Sequence, residues 1–311
     1  MLYSIHTEEE EEEEEEERGY RILVMSSVGR SGSSFLGQLV AQLPNTIYFF
    51  EPLHFLQNQS TQGVTSDNSR ELLSDIFECR FTEDWVRFSL GRKATLTHLE
   101  VEKECARDTG AYLDCVTKLC LSRMNKVIKV IRMRVSWVQD LLNRDASLKV
   151  IHIVRDPRGS FASLKSLNMV QKNHREWCPK IQEDLVIAKS LESSFPKSFT
   201  SVKYEDLCSD PLGMSLRIWK FLGERNTYSL PDTWKIYLTE HTSGSKRGNF
   251  STQRDSQKEA EAWRQEISED TLLEVERDCA KVLELLGYNM FGSLIHARNI
   301  SLSLRRKNKL K

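Results

Sequence analysis

The stretch Arg21 to Leu43, RILVMSSVGRSGSSFLGQLVAQL, constrains the fold more than any other part of the chain. An apolar run ends in small residues, breaks over Ser26-Ser27-Val28-Gly29-Arg30-Ser31-Gly32-Ser33-Ser34, and resumes with helical spacing. The pattern predicts a buried strand over Tyr20 to Ser27. It predicts an amphipathic helix over Ser33 to Gln42, with Phe35, Leu36, Leu39, Val40 and Leu43 on one side. A strand, a small-residue turn and a helix make a seat for an anion. Free backbone N–H groups at the helix start point at it, and the helix dipole adds a favourable field. Gly32 allows close approach of the main chain, Ser31, Ser33 and Ser34 supply hydroxyls, and Arg30 supplies a planar cation. A plain strand-to-helix turn capped by serines would use the same residues. The Walker A pattern is not met: five positions before Gly32 stands Ser27 rather than Gly, and Ser33 occupies the place of its Lys.

A second constellation is VIHIVRDPRGSFASLKS. Leu148 to Val154 reads as a strand that runs directly into Arg155-Asp156-Pro157-Arg158-Gly159, after which a helix resumes over Ser160 to Leu167. Arg155 then stands at a carboxyl strand end, where open α/β sheets bind ligands, and Ser163 lies on the following helix. The pair could grip a second phosphate, or be surface groups beside a helix cap. Further strands are expected at Ile47 to Phe50, Val127 to Ile131 and Phe199 to Val202. Helices are expected at Arg70 to Phe77, Val135 to Leu142, Ile181 to Leu191, Pro211 to Leu222 (opened by Asp210) and Ala260 to Leu286. Residues 57–69 and 240–257 read as polar loops, and 82–109 gives mixed signals. Strands alternating with helices imply an α/β fold with a mostly parallel central sheet flanked by helices. No linker or repeat divides it. The organisation expected is an acidic tail at 1–19, one domain at 20–292 and a basic tail at 293–311.

Charge sharpens this picture. Glu8 to Glu17 is an unbroken run of ten of the 45 acidic residues; without it, 44 Lys and Arg face 35 Asp and Glu, a balance of +9. A basic body favours anionic ligands. The Glu run cannot build a core and is expected to be disordered. No run of about 18 apolar residues is present to span a membrane, and no signal peptide is readable. Cys79, Cys105, Cys115, Cys120, Cys178, Cys208 and Cys279 form no CxxC pair and no metal spacing, so no metal is expected. Their odd number leaves at least one thiol unpaired within the chain. The sequons at Asn58, Asn249 and Asn299 matter only in a secretory lumen.

Taken together, RSGSSFL after a strand and VRDPR before a helix Ser resemble the sulfotransferases that use 3′-phosphoadenosine 5′-phosphosulfate (PAPS), in particular the Golgi enzymes that sulfate the 6-hydroxyl of galactose, N-acetylgalactosamine or N-acetylglucosamine. FEPLH at 50–54, KYEDL at 203–207, NFSTQRDS at 249–256 with Trp263-Arg264, and LGY at 286–288 share that resemblance, which runs from about Tyr20 to Met290. It implies a P-loop-like three-layer fold. It implies that Arg30, Ser31, Gly32, Ser33, Ser34 and Phe35 lie on the 5′-phosphosulfate, that Arg155 and Ser163 hold the 3′-phosphate, and that the loop around Arg254 and Ser256 closes on the donor. It further implies a glycan or glycosaminoglycan acceptor rather than nucleic acid, and a Golgi setting. Such enzymes begin with a membrane anchor, so the resemblance implies membrane anchoring; ahead of the domain this sequence shows the Glu run and no span, which fits either an unanchored protein or an incomplete N-terminus. The oligomeric state is open, a homodimer included.

Sulfuryl transfer places the acceptor oxygen, sulfur and leaving oxygen roughly in line, and catalysis is mainly positioning and charge stabilisation. Arg30 and the loop amides are placed for the charge that grows on the departing bisphosphate. The acceptor hydroxyl must lose a proton, and Glu51 is the preferred base because it directly follows a strand, with His54 the alternative. Glu51 could instead only pair with a cleft cation, and an unperturbed Glu is a weak base. Arg132 and Arg134 either line the acceptor side or form an exposed basic face. His152, Trp137, Trp219 and Trp263 read as packing residues. Three other readings share parts of this evidence: a tyrosylprotein sulfotransferase, a P-loop kinase, and a non-catalytic polysaccharide-binding protein.

Overall fold

A computed structural model of the chain describes residues 19–59, 63–90, 105, 109–167, 174–223, 229–244 and 251–306. The Glu run at 8–17 and the sequon at Asn249 lie outside them. The centre is a five-stranded sheet of β1 (Arg21–Met25), β2 (Thr46–Phe50), β3 (Asn125–Val130), β4 (Leu148–Val154) and β5 (Phe199–Lys203). The strand order is β2-β3-β1-β4-β5 and every pairing is parallel. Strands buried on both faces should be near-continuously apolar, and LKVIHIV of β4 is buried at all seven positions.

Side-chain alternation divides the core between the two faces. Ile22 and Val24 pack toward α1 (Ser33–Val40), while Leu23 and Met25 pack toward the opposite layer. That layer includes α2 (His54–Gln59), α3 (Ser66–Phe77), α4 (Glu83–Leu90), α5 (Thr109–Ser122) and, after a 3₁₀ turn at Val135–Trp137, α6 (Val138–Arg144). Past β4 come α7 (Pro157–Ser166) and α8 (His174–Ser194). Past β5 come α9 (Tyr204–Ser209), α10 (Pro211–Phe221), opened by Asp210 accepting from the Gly213 N–H, and α11 (Asp232–Thr242). The first-face core is completed by Leu207, Met214, Ile218, Trp234 and Leu238.

Four expectations need correction. Residues 57–69 are not one loop: α2 and α3 occupy both ends, and α3 starts at Ser66 because Thr65 and Asn68 form a reciprocal capping box. The 240–257 segment gives its first residues to α11 and its end to α12 (Ser256–Glu259). Ala260 to Leu286 is broken into α13 (Trp263–Glu266), α14 (Glu269–Asp278) and α15 (Ala280–Leu286), with Ser268 capping α14. Residues 293–306 are no loose tail. They form α16 (Leu294–Arg298), Tyr288 pairs with Arg305, and the buried Arg264 donates to the Leu302 carbonyl at 2.9 Å. Ala297 and Leu304 join a third core with Phe161, Trp263, Leu283 and Tyr288.

Three disulfides staple the helices: Cys79–Cys120 between α3 and α5 and Cys105–Cys115 ahead of and within α5, both in one layer, and Cys178–Cys279 between α8 and the α14–α15 junction. Cys208 is the buried free thiol. The packing readings hold for His152, fully buried in β4, and for Trp263, while Trp137 and Trp219 are partly buried against core clusters.

Candidate active site

β1 is the middle strand, so the loop after it opens at the centre of the sheet's carboxyl edge, beside the end of β4. Arg30 there has φ 62°, a left-handed conformation that costs a non-glycine residue about 1–2 kcal/mol and collects at functional sites. Gly32 follows at φ 86°. A Cβ on it would stand 2.4 Å from the Tyr204 ring, so only glycine fits. α1 begins directly after it, at Ser33. The Ser31 hydroxyl, fully buried, donates to Ser33 Oγ at 3.2 Å, and Ser34 and Phe35 are half-buried at the helix start.

The two segments singled out in the sequence meet here. Arg30 Nε donates to Ser163 Oγ at 3.1 Å, across 133 residues of chain. Arg155 donates from a terminal nitrogen to the Arg30 carbonyl at 2.8 Å and lies over the Tyr204 ring, 4.2 Å from its centre. Arg155 Nε is buried and has no hydrogen-bond partner among the described residues. Gly159 leaves room for it, since a Cβ there would stand 3.0 Å from that nitrogen. Arg254 joins from the late loop, its N–H on the His241 carbonyl. Burial, then the like charges of Arg155 and Arg254, holds the Arg30 guanidinium below its ordinary value. Guanidinium groups crowded this closely make a strongly anion-favouring spot. The Glu259 carboxylate of α12 faces it and stands 3.6 Å from Arg254. Ser256 opens α12 beside that loop, half-buried.

Arg158, the second arginine of VRDPR, turns the other way. It is fully buried between Asp156 (2.7 Å) and Glu276 (2.6 Å) and stacks on Trp263. It bolts α7 to α14.

A second cluster lies at the end of β2. Glu51, φ 54°, is buried with both oxygens engaged: Lys129 Nζ stands 2.6 Å from Oε1 and Arg132 2.5 Å from Oε2. Arg132 also donates to Gln57 of α2 at 2.7 Å, so its guanidinium is fixed between the buried carboxylate and the rim. His54 is half-buried on the same turn, its N–H on the Glu51 carbonyl. Asn58 Nδ2 contacts both the His54 carbonyl and His54 Nδ1 at 3.0 Å. That orientation makes Nδ1 the acceptor and puts the proton of the neutral ring on Nε2. Arg134 is not part of this cluster; it pairs with Asp184 and Glu183 of α8.

Sequence reasoning missed Tyr204, Lys129, Gln57 and Glu259. Lys129 carried a readable signal, a lone charge inside the apolar run VIKVI. Tyr204 was visible only as part of KYEDL. Among the described residues no group of three His, Cys, Asp or Glu is placed to hold a metal ion.

The fold and site define a parallel three-layer α/β protein with an anion seat at the end of its central strand, backed by a second basic grip from the neighbouring strand. Residues 23–227 match the model of the sulfotransferase family, and the chain belongs to that family. Among curated proteins it is similar to carbohydrate sulfotransferase 1 of Danio rerio, 28% identical over 92% of this chain and 82% of the relative. Its identity to carbohydrate sulfotransferase 1 of Homo sapiens is 29%, over 92% and 84%. Its identity to carbohydrate sulfotransferase 4 of Mus musculus is 27%, over 92% and 86%. Among solved structures, the sulfotransferase domain of the Synechococcus PCC 7002 olefin synthase aligns with a TM-score of 0.49 at 19% identity, over 88% of this chain and 96% of that one.

Proposed function

We propose that the chain transfers a sulfuryl group from PAPS to a sugar hydroxyl of a glycan or glycosaminoglycan, the 6-hydroxyl of N-acetylglucosamine, galactose or N-acetylgalactosamine, in the Golgi lumen. The observation that carries the reading is the contact of the β1 loop with the β4 segment, Arg30 to Ser163 and Arg155 to the Arg30 carbonyl. A donor with phosphates at both 5′ and 3′ positions needs two adjacent grips, and a simple nucleotide needs one. The relatives' names support the sugar acceptor, and three disulfides support an oxidising lumen.

In this reading Arg30, the loop amides of residues 31–34 and the Ser34 hydroxyl receive the 5′-phosphosulfate, with the buried Ser31 and Ser33 hydroxyls bonded to each other behind them, and Phe35 packs beside it. Arg155 and Ser163 take the 3′-phosphate, with Arg254 and Ser256 covering them. The acceptor oxygen forms a bond to sulfur as the bridging sulfur–oxygen bond breaks. The negative charge that builds on the leaving phosphate is met by Arg30. The hydroxyl proton goes to Glu51 or to His54. For Glu51 to accept it, Arg132 must yield Oε2, and Arg132 is the more exposed of its two partners.

Calorimetry with adenosine 3′,5′-bisphosphate tests the donor half. Tight binding should require the 3′-phosphate. Arg30→Ala should weaken it and abolish transfer while leaving thermal unfolding unchanged; near-normal turnover by that variant sinks the assignment. Parallel assays with sugar and tyrosine-peptide acceptors separate the carbohydrate reading from a tyrosylprotein sulfotransferase.

A further inference from the structure

The sequons are not equivalent in the fold. Asn58 lies on α2, and its side-chain amide is occupied by the carbonyl and ring of His54. A glycan there would stand on the rim of the Glu51 cluster. Asn299 is different. It follows α16, is exposed, and accepts on Oδ1 from Ser301 Oγ at 2.6 Å and from the Ser301 N–H at 3.1 Å. The turn therefore joins the two side chains of the sequon directly, and Asn299 Nδ2 has no hydrogen-bond partner among the described residues. The backbone around it is anchored: the Asn299 carbonyl accepts from the Leu302 N–H at 3.0 Å, and Arg264 holds the Leu302 carbonyl. A sugar could leave Nδ2 without displacing any of these contacts.

The surroundings point the same way. Ile295 is 81% exposed and Ile300 is 79% exposed, both within four residues of Asn299. Apolar side chains this open beside one turn invite association unless something covers them. The three disulfides are the independent sign of an oxidising compartment, where sequons are read.

We propose that Asn299 is an N-glycan acceptor and that Asn58 is not. In the step, Asn299 Nδ2 forms a bond to the anomeric carbon of an oligosaccharide carried on a polyprenyl pyrophosphate. The anomeric carbon–oxygen bond breaks, its electron pair leaves with the lipid pyrophosphate, and one amide proton is released. The assignment rests on the luminal half of the proposed function and is independent of the sulfuryl-transfer half.

The test uses the full chain carried into the secretory pathway of animal cells by a cleavable leader, so that entry and site use are read separately. Secreted protein is treated with a glycosidase that converts a glycosylated Asn to Asp, and the peptide containing residue 299 is analysed by mass spectrometry. Conversion at 299 is expected. Asn299→Gln and Ser301→Ala should each lose one glycan step on a gel, while Ser301→Thr and Asn58→Gln keep it. A leader-processed, secreted chain with unmodified Asn299 overturns the proposal, as does conversion at Asn58. Because the readout is mass, it holds whether or not the protein has transferase activity.

Discussion

At the scale of single residues, the site shows what a sequence can and cannot announce. Arg30 and Arg155 were legible because they follow the ends of β1 and β4, where an open sheet receives ligands, and Ser163 because it lies on the helix that follows Arg155. Their mutual contact was not, since 133 residues separate Arg30 from Ser163. Glu51 was legible as the residue after β2, yet nothing local foretold that Lys129 and Arg132 would take both its oxygens. This pairing makes the base assignment testable. Glu51→Gln should bind donor normally and lose on the order of 10²–10⁴-fold in kcat, the usual contribution of a general base. His54→Ala should bind donor normally and keep most turnover, because its Nδ1, the acceptor nitrogen, is occupied by Asn58. Single-turnover assays with saturating donor decide between them, and the reverse pattern makes His54 the base.

Elements were easier to foresee than their junctions. The five strands and α1 follow from apolar runs bounded by small or charged residues. The capping box of α3 and the breaks between α13, α14 and α15 depend on side-chain hydrogen bonds that hydrophobic spacing does not reveal. The join between α7, α9 and α15 rests on one buried acid. Glu205 of α9 accepts from the Asp156 N–H at 2.9 Å and from the Tyr288 hydroxyl at 2.7 Å. Burial, then the Asp156 charge, pushes its carboxyl up from 4.5 to about 7. Between those values the folded chain binds more protons at this site than the unfolded chain. Its contribution to stability is full below about pH 4.5 and is lost as pH rises through 7. His152, which burial holds down at about 4, acts in the opposite sense below 6.5. In urea unfolding across pH 4–8, Glu205→Gln should gain stability relative to the parent as pH rises, since His152 contributes equally to both. The difference between the two should grow by on the order of 3 kcal/mol over that window. Parallel curves would show that Glu205 does not titrate there.

For the whole molecule, two disulfides staple one helical layer and the third joins α8 to the C-terminal core. Cys178–Cys279 spans 101 residues and joins the long α8 to the C-terminal core, whereas Cys105–Cys115 spans 10. Loop-closure entropy predicts about 4–5 kcal/mol for the long bridge and about 3 kcal/mol or less for the short one. Chemical unfolding of the paired Cys→Ser variants should rank them in that order, and equal losses would place the stabilisation in local packing instead. The same core brings residues 293–306 into the body, although their basic, polar composition reads as a tail.

Tyr204 gives the molecule one further property. Its ring packs against Gly32 and carries Arg155, and Arg155 in turn holds the Arg30 carbonyl. The two basic jaws thus share one packing partner. On the proposed donor, a site built this way would work as a caliper, gauging the distance between two phosphates held apart by the ribose. Discrimination against a donor phosphorylated at a neighbouring position would come from the gauge being rigid.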